Sequence, residues 1–137
     1  MVGVQRVADE AVHKYGIIDP SASLSDRCME VRSFVEKPKL EAAPSNMAIL
    51  GRYILTPKIF ELLETQAPGS GNEIQLTDAI DRLAKLESVY AYDFIGNRYD
   101  VGDKIGFIKA QIDFALDRED LQEQVATIVR DASQALK

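Results

Sequence analysis

With 137 residues, of which 46% are hydrophobic and 28% charged, the chain has the size and composition of one soluble globular domain. Its net charge of −6 argues against a broad surface for nucleic acid or an acidic membrane, although one or two lysines can still hold a small phosphate. No apolar run approaches the roughly 20 residues of a membrane span, and no secretory signal is expected. Cys28 is the only cysteine, so we expect a reducing, cytoplasmic setting.

Strand patterns occupy most of the first two-thirds of the chain. Residues 2–7 alternate apolar and polar side chains, as a half-buried strand does. Further strands are predicted at residues 16–19, 31–35, 47–55 and 89–94, with a turn at Pro20 and a stop at Pro38. Because the first strand begins at residue 2, we expect it to lack a neighbour and to leave an exposed sheet edge that favours self-association.

Helical patterns follow three predicted N-caps, at Thr56, Thr77 and Asp103. A further amphipathic helix is predicted over residues 117–134. The predicted apolar faces are Ile59, Phe60 and Leu63 in the first helix, Ile80, Leu83 and Ala84 in the second, and Ile105, Ile108, Ile112 and Ala115 in the third. Strands mixed with helices, followed by helices at the end, predict an α/β or α+β architecture.

Glu36 and Lys37 stand at the end of an apolar strand and before a rigid proline. The carboxylate can accept hydrogen bonds from vicinal hydroxyls, and the ammonium can neutralise a phosphate as a point charge. A surface ion pair before a turn is the competing interpretation, because exposed Glu-Lys neighbours are common and contribute little. The spacing alone favours the surface pair.

Two other segments carry weaker signals. Gly16, after Lys14 and Tyr15, permits a close approach of backbone to ligand, or merely a bulge. Asp100, in Tyr99-Asp100-Val101-Gly102, is a candidate ligand for Mg²⁺, which takes one or two carboxylates together with phosphate oxygens. Stabilising the turn before a helix is the alternative role for this aspartate.

The segment from Gly71 to Asp78 is interpreted as capping and structural, with a possible interface role. Other kinds of site are excluded by composition. His13 is the only histidine, so a multi-histidine zinc site cannot form. The sequence contains neither G-x-x-x-x-G-K-[ST] nor G-x-G-x-x-G, so it carries no recognisable phosphate-cradling loop.

Taken as an ordered set, four segments resemble bacterial UTP–glucose-1-phosphate uridylyltransferases. They are KYGIID at 14–19, VEKP at 35–38, APSNMAILGRYIL at 43–55 and GNEIQLTDAI at 71–80. The similarity runs from about residue 2 to about residue 116. The related glucose-1-phosphate thymidylyltransferases share Glu-Lys-Pro but differ around the last segment, so a fragment of one of them is the runner-up.

The resemblance implies the C-terminal part of a Rossmann-like nucleotidyltransferase fold, with a mixed sheet flanked by helices. It assigns residues 1–116 to a sugar-phosphate-binding part and residues 117–137 to a C-terminal amphipathic helix. It also implies transfer of a uridylyl group from UTP to glucose 1-phosphate, with release of pyrophosphate and help from Mg²⁺. Gly16 would contact the sugar through its backbone, Glu36 would bind glucose hydroxyls, Lys37 would hold phosphate, and Asp100 would ligate the metal.

One departure from the family pattern is large. The glycine-rich G-x-G-T-R nucleotide loop, the lysine after it and the aspartate that is the first metal ligand have no counterpart in the sequence. We therefore expect a fragment, a truncated gene product or one part of a split protein that is inactive alone and forms a homo-oligomer. A non-catalytic module that keeps the fold for oligomerisation or regulation is the alternative.

Overall fold

The computed structural model describes residues 1–136, which form two compact units, residues 1–95 and residues 96–136. The first unit contains five strands: β1 (Val2–Arg6), β2 (Gly16–Ser23), β3 (Cys28–Glu36), β4 (Met47–Tyr53) and β5 (Val89–Asp93). It also contains helices α1 (Lys58–Glu64) and α2 (Leu76–Ala84). The second unit contains α3 (Lys104–Leu116) and α4 (Gln122–Ala135). The mixed sheet with helices confirms the predicted α/β class. None of the helices within residues 1–136 is both long and apolar enough to cross a membrane.

The five strands form a sheet that closes on itself in the order β1-β4-β2-β3-β5. Only the β1–β5 pair is parallel. Val4 lies opposite Ile49 on one side of β1, and Val2 lies opposite Ala91 on the other. The expectation that β1 is an exposed edge is therefore wrong, because the chain returns to cover both of its sides.

The β2–β3 hairpin is longer than the sequence pattern predicts. β2 continues through Pro20 to Ser23, since the pairing with β3 shifts register on both sides of the proline. A residue without an N–H is tolerated at such an irregularity. At the other end of the hairpin the pairing is regular and sets Gly16 opposite Glu36. Two of the candidate residues therefore meet through strand register.

The core of the first unit lies between the sheet and helices α1 and α2. Its buried members include Val2, Val4, Ile18, Phe34, Ile59, Leu62, Ile80 and Leu83. The predicted apolar face of α1 is partly wrong, because Phe60 is 67% exposed while Leu62 is buried. Phe60 follows Ile59 directly, and consecutive helical residues lie about 100° apart around the axis.

Two of the three predicted N-caps are wrong. The residue before α1 is Pro57, and the Thr56 hydroxyl donates to Glu87 Oε1 at 2.5 Å. Thr77 lies inside α2, which begins after Gln75 without a side-chain cap. Asp103 does cap α3, because its carboxylate accepts a hydrogen bond from Gly106 N at 2.9 Å.

The C-terminal helices also differ from the prediction. The chain turns between residues 117 and 121, so the last helix begins at Gln122 instead of continuing from Asp117. In α3 the buried residue is Ala110, whereas Ile105 and Ile108 from the predicted apolar face are exposed. The apolar face predicted for α3 is therefore partly wrong, because two of its three isoleucines are exposed.

Candidate functional site

The end of the β2–β3 hairpin brings together three of the four residues predicted from the sequence. Gly16 begins β2, Glu36 ends β3, and Lys37 follows directly. The Lys37 N–H donates to the carbonyl of Tyr15 at 3.0 Å, which closes the hairpin beyond the last strand pair. Lys37 has a φ of 45°, in the left-handed region that a side chain with a Cβ adopts only at a cost. Strained backbone of this kind concentrates at functional sites.

The Glu36 carboxylate is held from the interior. Its side chain is 12% exposed, and its Oε2 accepts a hydrogen bond from the Thr77 hydroxyl at 2.5 Å. Thr77 is itself buried, with 7% of its surface exposed. The Lys37 ammonium lies 3.8 Å from the other oxygen, Oε1, and its side chain is half exposed. One carboxylate oxygen is therefore fixed by the fold, and the other faces a half-exposed cation.

Gly16 is required by the packing around this carboxylate. A Cβ added to it would lie 3.0 Å from Glu36 Oε2, Thr77 Oγ1 and Ile49 Cδ1. Such distances are shorter than nearly all real Cβ contacts, and all three neighbours are well buried side chains. The glycine therefore lets the carboxylate and the hydroxyl lie directly against the backbone of β2.

The charge of Glu36 also reaches Tyr53, at the end of β4. Burial, and after it the negative charge of Glu36, raises the pKa of Tyr53 above its ordinary value. The phenol therefore stays protonated to a higher pH than an ordinary tyrosine does, and its hydroxyl is a hydrogen-bond donor at neutral pH.

Asp100, the fourth predicted residue, belongs to the second unit and is held by its own loop. Its Oδ1 accepts a hydrogen bond from Gly102 N at 3.2 Å, and its Oδ2 lies 3.8 Å from an Arg98 nitrogen. Its carbonyl accepts from Asp103 N, and a Cβ at Gly106 would overlap that carbonyl oxygen. The start of α3 therefore packs closely on the backbone of Asp100.

The oxygen ligands around Asp100 suit a metal ion whose shell is completed by phosphate and water better than one bound by protein side chains alone. Its carboxylate is half exposed and offers one hard oxygen ligand. Within residues 1–136, no three His, Cys, Asp or Glu side chains are grouped so that they could hold a metal ion. Mg²⁺ accepts such an arrangement, because it usually binds one or two carboxylates and completes its shell with phosphate oxygens and water.

Thr77 is the residue that the sequence interpretation missed. The segment from Gly71 to Asp78 was expected to be structural, and Thr77 was expected to cap a helix. A usable signal was present, since Thr77 precedes the apolar Ile80 by three residues and so shares its helical face. A threonine on a core-facing stripe needs a buried acceptor, and Glu36 provides it.

Comparisons with known proteins identify the family of this chain. The profile of the family described as nucleotidyl transferase matches residues 1–116. The chain belongs to the nucleotidyl transferase family. The predicted resemblance to UTP–glucose-1-phosphate uridylyltransferases is also confirmed. The protein of that name from Staphylococcus epidermidis is 55% identical over 95% of this chain and 45% of its own length. UTP–glucose-1-phosphate uridylyltransferase 2 from Staphylococcus saprophyticus is 53% identical over the same shares.

Solved structures confirm the nucleotidyltransferase fold. A UDP-glucose pyrophosphorylase complexed with UDP-glucose superposes with a TM-score of 0.81 and 47% identity, over 85% of this chain and 44% of that one. A UTP-bound enzyme from Acinetobacter baumannii gives a TM-score of 0.80 and 37% identity, over 93% of this chain and 44% of that one. A glucose-1-phosphate thymidylyltransferase from Bacillus anthracis shares the fold at 22% identity. The chain thus spans less than half the length of the relatives it matches.

Proposed function

We propose that this chain supplies the sugar-phosphate-binding part of a nucleotidyltransferase that forms UDP-glucose and pyrophosphate from UTP and glucose 1-phosphate. The observation that carries the proposal is the largely buried Glu36 carboxylate, fixed by Thr77 and Gly16, with the Lys37 ammonium beside it. A surface ion pair needs none of this support. The proposed substrates are those for which the relatives are named. The role proposed for each side chain rests on its contacts.

Glu36 binds the sugar hydroxyls in this proposal. A carboxylate offers about four lone-pair positions, of which the Thr77 hydroxyl uses one. The remaining positions can accept hydrogen bonds from two vicinal hydroxyls of glucose. Gly16 is proposed to contact the sugar through its backbone, and its missing Cβ leaves the space that the Glu36 carboxylate and the Thr77 hydroxyl occupy.

Lys37 binds the phosphate. Its half-exposed ammonium lies on the side of Glu36 that is not occupied by Thr77, so it can turn toward a phosphate held beside the sugar. Attack of the sugar-phosphate oxygen on the α-phosphorus of UTP builds negative charge, which a fixed cation stabilises. The residue contributes by position and charge, without a covalent intermediate.

Asp100 is proposed as a ligand of Mg²⁺, which when bound would neutralise the charge of the reacting phosphates. Residues 1–116 would form the sugar-phosphate-binding part and residues 117–137 a C-terminal helical segment. Because the sequence contains no glycine-rich nucleotide loop, we propose that the chain alone does not turn over UTP. The lone Cys28 supports assignment to a reducing, cytoplasmic compartment.

Titration calorimetry of the 137-residue chain with glucose 1-phosphate and with inorganic phosphate tests the sugar-phosphate proposal. Loss of a hydrogen bond to a charged group weakens binding roughly ten- to a hundredfold. We expect E36Q to weaken glucose 1-phosphate by about that factor while leaving inorganic phosphate unchanged. K37Q should weaken both ligands.

Matched controls lie on the same stretch of chain. E41Q and K39Q alter exposed residues just beyond the hairpin and should bind like the wild type. Equal binding of glucose 1-phosphate by wild type and E36Q would contradict the proposed function.

Self-association is a separate proposal. Ile105, Ile108, Phe114 and Ile128 in the second unit are each more than half exposed, and apolar side chains in such numbers favour contact with another protein surface. A homo-oligomer would cover these side chains. The same exposed residues are what favours the alternative that the chain is a non-catalytic oligomerisation module. Multi-angle light scattering of the purified chain decides the point, and a monomer at moderate concentration would contradict it.

A further inference from the structure

Helix α2 is hydrogen-bonded to strand β3 through two side chains that lie one helical turn apart. The Thr77 hydroxyl donates to the Glu36 carboxylate at 2.5 Å, and Asp81 Oδ1 accepts from the backbone N–H of Phe34 at 2.9 Å. Four helical residues advance about 6 Å and two strand residues about 6.6 Å, so the two spacings match. The helix therefore runs antiparallel along the end of the strand in register with it.

Asp81 accepts a hydrogen bond from a part of β3 that has no neighbouring strand on that side. β5 pairs with β3 only from Cys28 to Val31, and on the opposite side of β3 Ile18 lies across from Phe34. The Phe34 N–H therefore needs an acceptor from another element, since a buried donor left unpaired is costly. The Asp81 side chain is 19% exposed and also pairs with Lys85 at 2.7 Å. Both partners hold its carboxylate in place.

We propose that Thr77 and Asp81 are positioning residues that fix the Glu36 carboxylate in the orientation that receives the sugar hydroxyls. This inference rests on the proposed function, because it concerns the same carboxylate. Asp81 fixes the position of α2 along β3. Thr77 then fixes the orientation of the Glu36 carboxylate. Neither residue needs to touch the sugar for its loss to weaken binding.

The Thr77 hydroxyl can be removed with almost no change of shape, since valine replaces it with a methyl group. We expect T77V to weaken glucose 1-phosphate roughly tenfold, because one hydrogen bond that orients a charged group is lost. Inorganic phosphate should bind as before. T77S keeps a hydroxyl and should restore most of the affinity. T127V, at an exposed threonine of α4, is the matched control.

Asp81 is tested by the backbone bond it accepts. D81N keeps an acceptor oxygen and should bind glucose 1-phosphate nearly as the wild type does. D81A leaves the Phe34 N–H without its partner and should weaken the sugar phosphate several-fold. Hydrogen exchange of the Phe34 amide, measured by NMR on the unliganded chain, should accelerate in D81A and not in D81N. D131A, at an exposed aspartate of α4, is the control.

A double-mutant cycle separates positioning from general destabilisation. In an E36A background T77V should cause no further loss of affinity, because the group it orients is gone. If T77V does not fold, T77A removes the same hydroxyl and takes its place in the cycle. A residue that merely supports the fold would weaken binding equally in both backgrounds, and that result overturns the inference.

The outcomes also distinguish this inference from the proposed function. Wild-type binding that E36A weakens but T77V leaves unchanged would support the function and overturn the positioning role. A wild-type chain that binds no glucose 1-phosphate would overturn both. Loss in T77V, recovery in T77S and no added loss on E36A together support the inference.

Discussion

The end of the β2–β3 hairpin and the Asp100 loop hold their side chains in different ways. Glu36 is fixed by Gly16 from another strand and by Thr77 from a helix 41 residues away. Asp100, by contrast, is held by Arg98, Gly102 and Asp103, which lie within three residues of it along the chain. The hairpin site is therefore a product of the whole first unit, whereas the loop is a product of its local sequence. Substitutions that disturb packing should separate the two.

The largest effect is expected from truncation of a buried isoleucine. Ile80 is fully buried in the core of the first unit, and I80A should lower the free energy of unfolding by about 2–5 kcal/mol, because it leaves a cavity. Ile108 in α3 is 54% exposed, and I108A should change it by no more than about 0.5 kcal/mol. Chemical denaturation monitored by circular dichroism measures both.

The same pair of variants tests whether the proposed sugar site depends on the packing of the first unit. Ile80 lies three residues after Thr77 on α2, so I80A should also weaken glucose 1-phosphate. I108A should leave that affinity unchanged. A similar loss of stability in both variants would mean that the second unit is as well packed as the first, and the contrast would disappear.

Two glycines give a smaller but more local comparison. A Cβ at Gly16 meets three buried side-chain atoms at 3.0 Å, so G16A should cost about 1–3 kcal/mol of stability through overpacking. At Gly102 the nearest atom is Asp100 Oδ1 at 3.3 Å, and that half-exposed carboxylate can turn away. G102A should therefore stay within about 0.5 kcal/mol of the wild type. Thermal unfolding measures the difference, and an equal shift in both variants would contradict it.

The sequence predicted the local elements better than the contacts between them. Alternation located β1, and an apolar stretch with β-branched residues located β4, because each pattern reflects burial within a few residues. The extension of β2 through Pro20 was missed, since a shifted register with β3 is what tolerates the proline there. The free edge predicted for β1 was wrong for the same reason, as its partners come from residues 47–53 and 89–93.

The candidate site shows the same limit. Glu36 and Lys37 were found as a pair because they are adjacent, and family resemblance raised them above an ordinary surface pair. Thr77 was assigned to a helix cap, because its real partner lies 41 residues away and only strand register and helix placement bring the two together. Gly16 was identified as a place of close approach, but what approaches it in the structure is Glu36 and Thr77.

Backbone strain provides a third comparison, in which the expected difference in the free energy of unfolding is about 1 kcal/mol. Lys37 adopts a φ of 45°, whereas within residues 96–136 every residue other than glycine has negative φ. K37G and K37A both lose the ammonium, yet K37G should be more stable by about 1 kcal/mol because glycine accepts left-handed backbone freely. At Lys104, the first residue of α3, the order should reverse, with alanine favoured over glycine. Denaturation of the four variants tests this, and a K37A that matches K37G would show that no strain is stored at the hairpin.

The smallest effect is expected from a surface network on α3. Asp113 accepts hydrogen bonds from Lys109 Nζ at 2.7 Å and from the Tyr99 hydroxyl at 2.9 Å. The bond from Lys109, followed by that from Tyr99, lowers the pKa of Asp113 below its ordinary value. A lowered pKa in the folded state stabilises the fold above the unfolded-state pKa, and this contribution is lost as the pH falls through the folded-state pKa. The difference in melting temperature between wild type and D113N should therefore be small at pH 6 and vanish toward pH 3. Because the group is exposed, 0.5 M salt should reduce the difference as well. A difference that grows on acidification would show that the carboxylate does not stabilise the folded state through these bonds.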